Sequence, residues 1–217
     1  MKISKLFIAS FILNILTFAL VVVGVIVMAT VRISTLGATD ITVFKYFTFQ
    51  SNIFMGAVAF IYALFQLLIL LNKRDKLPHV LLVFNHVATA AVSLTFLVVV
   101  FFLGAIYGYN LMYTGANLFF HGLVPVLAMI KFMFIDKESE IKFSDTVYAT
   151  IPPFLYGTVY LINVVVQNGF GDVNIDFYMF GANGPVFGIL TFLTILGVTF
   201  GFGLVLYFVH RIVFKKR

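Results

Sequence analysis

Long apolar runs separated by short polar segments dominate the chain. Six of these runs approach or exceed the roughly 20 residues of helix that cross a bilayer, and they cover residues 6–31, 47–71, 80–103, 118–135, 146–167 and 185–213. Because backbone in hydrocarbon must satisfy its own hydrogen bonds, all six are predicted to be helices. The first run is longer than the core of a cleavable signal peptide, so we expect it to be a span. The pattern predicts an all-α integral membrane protein, with residues 1–217 forming one six-transmembrane-helix bundle.

The composition agrees with a membrane location and excludes several classes of site. The chain is 62% apolar and 10% charged, with a mean hydropathy of +1.12, whereas soluble domains carry about 25% charged residues. It has no cysteine, which excludes disulfides, thiolate metal sites and cysteine nucleophiles. We find no phosphate-binding loop and no cluster with metal-ligand spacing, so neither a metal nor a cofactor is expected.

The positive charges predict the orientation of the chain. The net charge is +6, but the basic residues flank the apolar runs instead of forming a patch, so no nucleic-acid partner is expected. Arg32 and Lys45 fall at one set of span ends. The other twelve basic residues fall at span ends on the same side of the membrane as both termini: Lys2, Lys5, Lys73, Arg74, Lys76, Lys131, Lys137, Lys142, Arg211, Lys215, Lys216 and Arg217. The positive-inside rule then predicts a multi-pass plasma-membrane protein with both termini in the cytoplasm.

Polar residues inside apolar spans are expensive, so each is a candidate functional position. At the start of the second span, Thr48, Ser51 and Asn52 stand at i, i+3 and i+4 and share one helix face. One interpretation is structural, because their side chains could satisfy the orphan groups of the first turn and Thr48 could bond back to its own helix. The other is that they line a functional site near the outer leaflet.

His121 lies near the outer end of the fourth span, one turn after Asn117 and one turn before Pro125. A desolvated imidazole stays neutral and can act as a general base, although a single membrane histidine often only hydrogen-bonds another helix. The second and fourth spans both run inward, but straight helices rising 1.5 Å per residue would place Thr48 about 12 Å further out than His121. Helix tilt or a kink at Pro125 would reduce that offset.

The remaining polar positions within the spans have structural interpretations as well. His86 belongs to a patch on the third span that is either a helix-to-helix contact or a cavity floor, and His79 and His210 are predicted to be interfacial. Prolines 125, 152 and 153 are expected to kink their spans, leaving the carbonyls of residues 121, 148 and 149 without helical donors. Gly197 and Gly201 form a small-x-x-x-small pair, which predicts close helix packing.

Two further features could contribute to a site at the outer end. Asn163 lies on a polar stripe of the fifth span, together with Tyr156, Tyr160 and Gln167, that faces protein or water. Asp172 and Asp176 lie in the following loop. They are either solvated charges or, for one of them, a carboxylate that orients an imidazole.

Two motifs resemble a known family. They are Tyr46-Phe47-Thr48-Phe49-Gln50-Ser51-Asn52 in the second span and His121-Gly122-Leu123-Val124-Pro125 in the fourth. Together with six spans in a short chain, they resemble the family of the androgen-induced protein and the androgen-dependent tissue-factor-pathway-inhibitor-regulating protein, in its prokaryotic branch. The resemblance implies an intramembrane hydrolase of lipid esters, such as fatty acid esters of hydroxy fatty acids. It also implies Thr48 as the nucleophile and His121 as the base.

The chemistry of ester cleavage is compatible with these residues. A threonine hydroxyl becomes nucleophilic only when a nearby base takes its proton, and the oxyanion that follows needs donors. Ser51, Asn52, Asn117 and Asn163 are the candidates for oxyanion support or substrate binding. The expected partners are membrane lipids and a lipid-ester substrate, while the oligomeric state is left open. Two alternatives are a non-catalytic protein that binds lipid or transports small molecules, and a structural subunit whose polar groups only join helices.

Overall fold

Six long helices account for most of the chain. The computed structural model describes residues 4–31, 40–137 and 140–214, and all regular elements within these ranges are helices. The long helices are α1 (Lys5–Val31), α2 (Phe47–Leu70), α3 (His79–Tyr107), α4 (Leu118–Phe134), α5 (Phe143–Val166) and α6 (Pro185–Phe214). Short helical segments occupy Asp40–Lys45 and Tyr109–Met112. Each long helix begins and ends within four residues of its predicted span.

Five of these helices are long and apolar enough to cross a membrane, and α4 is a shorter apolar helix. Large apolar side chains cover the outside of the molecule, with Val166 78% exposed and Ile212 74% exposed. Soluble proteins rarely expose contiguous apolar surface on this scale. The chain is therefore a multi-pass membrane protein.

Helix α3 lies at the centre and packs against α2, α4, α5 and α6, while α1 packs mainly against α2 and α4. Glycine allows α1 to approach its neighbours closely. A Cβ at Gly24 would lie 2.7 Å from Cε1 of Phe120, and one at Gly56 would lie 2.9 Å from Cγ1 of Val21. Because such contacts are shorter than van der Waals packing allows, both positions need glycine for these helices to meet as they do.

A change of helix type occurs where the sequence predicts kinks at Pro152 and Pro153. Helix α5 begins as a 3-10 segment, Phe143–Thr150, and becomes α-helical over Ile151–Val166. Pro152 and Pro153 lie in the first turn of the α-helical part, where a missing N–H breaks no intrahelical bond. The prolines thus mark the start of a new helical segment.

The start of α1 and the end of α6 meet at one end of the bundle, here called the terminal end, around a buried ion pair. Lys131 Nζ lies 2.6 Å from Oδ2 of Asp136, and both residues are buried. Lys131 also donates to Asn85 Oδ1 at 3.1 Å, Ser10 Oγ donates to Asp136 Oδ1 at 2.6 Å, and Asn85 Nδ2 donates to Asp136 Oδ2 at 2.8 Å. His210 joins the cluster by donating from Nε2 to the Asp136 carbonyl at 2.9 Å.

This cluster corrects two predictions. Lys131 is fully buried, so it is not one of the surface charges that bear on orientation, and His210 is buried instead of interfacial. His79 is exposed, and its Nε2 lies 3.0 Å from Oδ2 of Asp145. The orientation prediction also used basic residues that lie outside the described ranges: Lys2, Arg32, Lys215, Lys216 and Arg217.

The close contact predicted on α6 occurs at a different glycine. A Cβ at Gly197 or Gly201 would meet nothing within 4 Å, so the prediction for that pair is wrong. At Gly203 a Cβ would lie 2.8 Å from Cβ of Ala149, and His86 Nε2 donates to the Gly203 carbonyl at 2.9 Å. His86 therefore holds α3 against α6, in agreement with its interpretation as a helix-to-helix contact.

Candidate active site

Thr48 is the second residue of α2, at the end of the bundle opposite the terminal end, here called the Thr48 end. Its carbonyl accepts hydrogen bonds from Ser51 Oγ at 3.1 Å and Asn52 Nδ2 at 2.8 Å. The carbonyl four residues back, of Phe44, is occupied by Gln50 Nε2 at 2.7 Å. Among the described residues neither the hydroxyl nor the N–H of Thr48 has a hydrogen-bond partner. The structural interpretation, in which this hydroxyl bonds back to its own helix, is therefore not what the structure shows.

The side chain of Thr48 lines a cavity of about 100 Å³ enclosed by α2, α3, α5, α6 and the loop before α6. Most of the lining is apolar or aromatic, and it includes Thr48, Thr95, Val99, Tyr156, Tyr178 and Phe192. Val99 begins a π-helical turn, Val99–Leu103, inside α3. Such turns interrupt the regular hydrogen bonding of a helix and are frequent at functional sites.

A second π-helical turn, Leu118–Leu123, begins α4 and contains His121. In this turn the Val124 N–H bonds the carbonyl of Phe119, five residues back. The next residue is Pro125, which has no N–H, so the carbonyl of Phe120 lacks a helical donor. Asn52 Nδ2 supplies that donor at 3.1 Å. The sequence predicted an orphan carbonyl at His121; the π turn also leaves the carbonyl of the preceding residue, Phe120, to a donor from α2.

Asn52 therefore joins the two sequence motifs. Its Nδ2 donates both to the Thr48 carbonyl and to the carbonyl of Phe120, the residue before His121. The two carbonyl oxygens are thus within two hydrogen-bond lengths of each other, which is closer than the offset expected from straight helices. The motifs meet through their main chains, whereas His121 is not among the residues that line the Thr48 cavity.

The imidazole of His121 is buried and held in one tautomer. Its Nδ1 lies 2.9 Å from the carbonyl of Met112, at the end of the short helical segment Tyr109–Met112. A carbonyl only accepts, so Nδ1 carries the proton and Nε2 is left as an acceptor. A fixed tautomer with a bare Nε2 is what a general base requires.

Ser51 and Asn52 are buried beside Thr48 but are poorly suited to donate to an oxyanion. Both Nδ2 protons of Asn52 are directed at carbonyls, and its Oδ1, an acceptor, has no partner within the described residues. Ser51 Oγ lies between the Thr48 carbonyl and Thr95 Oγ1, at 3.1 and 3.3 Å. The unbonded N–H of Thr48 is the better-placed donor, because it belongs to the same residue as the candidate nucleophile.

The other two asparagines lie apart from the cavity lining. Asn117 donates from Nδ2 to the Leu111 carbonyl at 3.3 Å and so helps to shape the segment before α4. Asn163 is exposed and accepts from Gln167 at 2.6 Å. The polar stripe on α5 thus faces protein at Tyr160 and the surface at Asn163.

The two loop aspartates differ sharply. Asp172 is exposed and accepts from the Asn174 N–H at 2.8 Å, as a solvated loop charge would. Asp176 is fully buried, so a solvated charge is the wrong interpretation for it. Its carboxylate accepts from the Tyr160 hydroxyl and from three backbone N–H groups, at 3.1, 2.9 and 2.9 Å, which belong to Gly171, Phe180 and Gly181. The group that orients His121 in this structure is the Met112 carbonyl.

The loop held by Asp176 closes the Thr48 end of the bundle. Tyr160, bonded to Asp176, accepts from the Tyr178 N–H at 3.0 Å, and the Tyr178 hydroxyl accepts from the Phe47 N–H at 2.9 Å. Burial raises the pKa of Tyr178 to about 12, so its hydroxyl stays neutral at physiological pH. Sequence reasoning missed Tyr178, since only the folding of the loop brings it to the start of α2.

The described residues contain no group of three histidines and carboxylates placed to hold a metal ion. No family model, no curated protein and no solved structure matches this chain. The resemblance to a family therefore rests on the two motifs.

Proposed function

We propose that the protein is an intramembrane lipid-ester hydrolase with Thr48 as nucleophile and His121 as general base. The observation that supports this most directly is at Thr48, whose hydroxyl and N–H find no partner among the described residues and lie beside an apolar cavity. Thr48 is half-buried, so both groups are accessible to a molecule that enters the cavity. A substrate carbonyl that approaches Thr48 would engage both groups.

The proposed reaction has two steps. His121 Nε2 takes the proton of the Thr48 hydroxyl as Oγ1 attacks the acyl carbon, and the Thr48 N–H stabilises the oxyanion. The alcohol leaves with the proton from His121, and water, activated by the same imidazole, then hydrolyses the acyl-threonine. Proton transfer requires Oγ1 and Nε2 to come within about 2.6–3.2 Å in the substrate complex, whereas the free enzyme is often looser.

Labelling with a fluorophosphonate tests the nucleophile. We expect covalent labelling of the wild type, complete loss in Thr48→Ala, and strong loss in His121→Ala. Thr95→Ala is the matched control, since Thr95 lines the same cavity and its loss should leave labelling intact. Labelling of Thr48→Ala at the wild-type rate would contradict the proposal.

A non-catalytic lipid-binding protein is the alternative, and it is favoured by the absence of His121 from the lining of the apolar cavity. This alternative predicts that lipid copurifies with the protein and that the fluorophosphonate labels neither the wild type nor any variant. Hydrolysis of a lipid-ester panel by the wild type, lost in Thr48→Ala, would exclude it.

We also propose that α4 completes a six-span topology in the plasma membrane, with both termini cytoplasmic and the Thr48 end outside. Exposed basic residues at the terminal end support this orientation: Arg74, Lys76, Lys137 and Arg211. Because the chain has no cysteine, single cysteines can be introduced without background. In intact cells, a membrane-impermeant maleimide should label Asp172→Cys and spare Lys76→Cys, and the reverse result would invert the topology.

A further inference from the structure

We propose that the cavity beside Thr48 takes only the first carbons of an acyl chain, and that Phe192, seated on Gly157, sets the length of chain that enters. The identity of the occupant as an acyl group rests on the proposed function. The selection by length rests on the shape of the cavity alone. Phe192 is therefore proposed as a specificity-determining residue on α6.

The ring of Phe192 occupies a notch that exists because residue 157 is glycine. A Cβ at Gly157 would lie 2.4 Å from Cε2 of Phe192, so any larger residue would displace the ring. Phe154 packs against the same ring, with the centroids 6.1 Å apart. These contacts come from α5 and hold the Phe192 side chain at the boundary between α5 and α6.

Phe192 contacts both the cavity and the outer surface. It lines the cavity and is itself half-buried. Its neighbour Leu193 and the α5 residue Val159 are 55% and 69% exposed, on surfaces that face lipid in a membrane protein. A chain that enters from the bilayer between α5 and α6 would have to pass this ring.

The cavity is small for a lipid. Its volume is about 100 Å³, below the roughly 150 Å³ of an engineered apolar cavity that binds benzene. A chain longer than a few carbons cannot fit without movement of Phe192. The expected substrate class is therefore an ester with a short acyl group, or a longer one whose remaining chain stays in the bilayer.

The test uses a unique cysteine in the cavity wall and needs no catalysis. Thr95→Cys would be treated with methyl, butyl and octyl methanethiosulfonates, and the rate of modification followed by mass spectrometry. We expect the octyl reagent to react at least roughly tenfold more slowly than the methyl reagent, because apolar pockets discriminate chain length by such factors. Adding Phe192→Ala should largely remove this difference. Adding Gly157→Ala should slow all three reagents, since the ring is pushed into the cavity.

Two controls separate the possible outcomes. Val159→Cys, on the exposed face of α5, should react with all three reagents irrespective of Phe192. Adding His121→Ala, which would abolish the proposed hydrolysis at a residue outside the cavity lining, should leave the length profile of Thr95→Cys unchanged, so failure of the hydrolase proposal would not affect this result. An identical profile with and without Phe192→Ala would overturn the inference. So would a Thr95→Cys that resists even the methyl reagent, because the cavity would then be closed.

Discussion

The two ends of the bundle both bury polar side chains, but they satisfy them to different degrees. At the terminal end, Lys131 and Asp136 are paired, and each oxygen of the Asp136 carboxylate has a further donor. At the Thr48 end, the hydroxyl and N–H of Thr48 and the Oδ1 of Asn52 have no partner among the described residues. Within the described residues, the groups without a partner at the Thr48 end are uncharged, whereas the buried charges of Lys131 and Asp136 at the terminal end neutralise each other.

This difference distinguishes the terminal end, whose ion pair stabilises the fold, from the Thr48 end, whose cavity is open to a ligand. A buried charge is tolerated only when it is paired and hydrogen-bonded, and the terminal end meets that condition for its ion pair. The amide oxygen of Asn14 and the Nδ1 of His86, which also lack partners, are uncharged there. At the Thr48 end, by contrast, the unbonded groups of Thr48 adjoin a cavity that can hold a small ligand.

The largest expected effect is at the terminal end. Asp136→Ala leaves the buried charge of Lys131 without its partner, and breaking a buried pair costs about 3–5 kcal/mol. Unfolding of the purified protein in detergent, followed by circular dichroism, should show a large fall in the midpoint. Fluorophosphonate labelling of the fraction that remains folded should persist, because the pair lies at the opposite end from Thr48.

Two variants make this prediction specific. Asp172→Ala removes an exposed acid and should change stability by no more than about 0.5 kcal/mol. Lys131→Met combined with Asp136→Ala should recover part of the loss, since no unpaired charge is then buried. Equal losses for Asp136→Ala and Asp172→Ala would show that the ion pair does not stabilise the terminal end.

A smaller effect is expected where α2 meets α4. Asn52→Ala removes the donor of the Phe120 carbonyl, and a buried acceptor left unsatisfied costs about 1–3 kcal/mol. Because the same side chain links the two motifs, fluorophosphonate labelling should fall as well. Asn163→Ala, at an exposed asparagine, should alter neither unfolding nor labelling.

The proline provides a second test of this contact. Replacing Pro125 by alanine restores an N–H that can bond the Phe120 carbonyl within α4. We therefore expect Asn52→Ala to cost less in a Pro125→Ala background than alone, as measured by a double-mutant cycle. Strictly additive losses would mean that the Phe120 carbonyl does not depend on Asn52.

The helices could be predicted because their signal is local. The length of each apolar run is set by the thickness of the bilayer, so span limits near Phe47 and Pro185 follow from composition alone. The two main residues of the candidate active site could also be identified from the sequence, since Thr48 and His121 are polar residues in apolar surroundings. Prolines 152 and 153 likewise indicated the position of the change of helix type in α5.

Contacts between residues far apart in the chain could not be predicted from the sequence in the same way. Lys131 and Asp136 look like loop charges beside a span end, and only their meeting with Ser10 and Asn85 shows that they are buried. Asp176 was interpreted as a solvated or imidazole-orienting charge, whereas in the fold three N–H groups of its own loop and the Tyr160 hydroxyl of α5 donate to it. The π turn that contains His121 likewise leaves the Phe120 carbonyl without a helical donor, and α2 supplies one through Asn52.

The sequence by itself determined that the chain enters a membrane, where its helices begin and end, and which few polar residues could carry chemistry. Each of these follows from the cost of exposing a backbone or a polar group to hydrocarbon, which depends on neighbours in the chain. The tertiary structure decided which polar groups are paired and which stay free. That outcome depends on donors and acceptors supplied by other helices, and no local pattern specifies them.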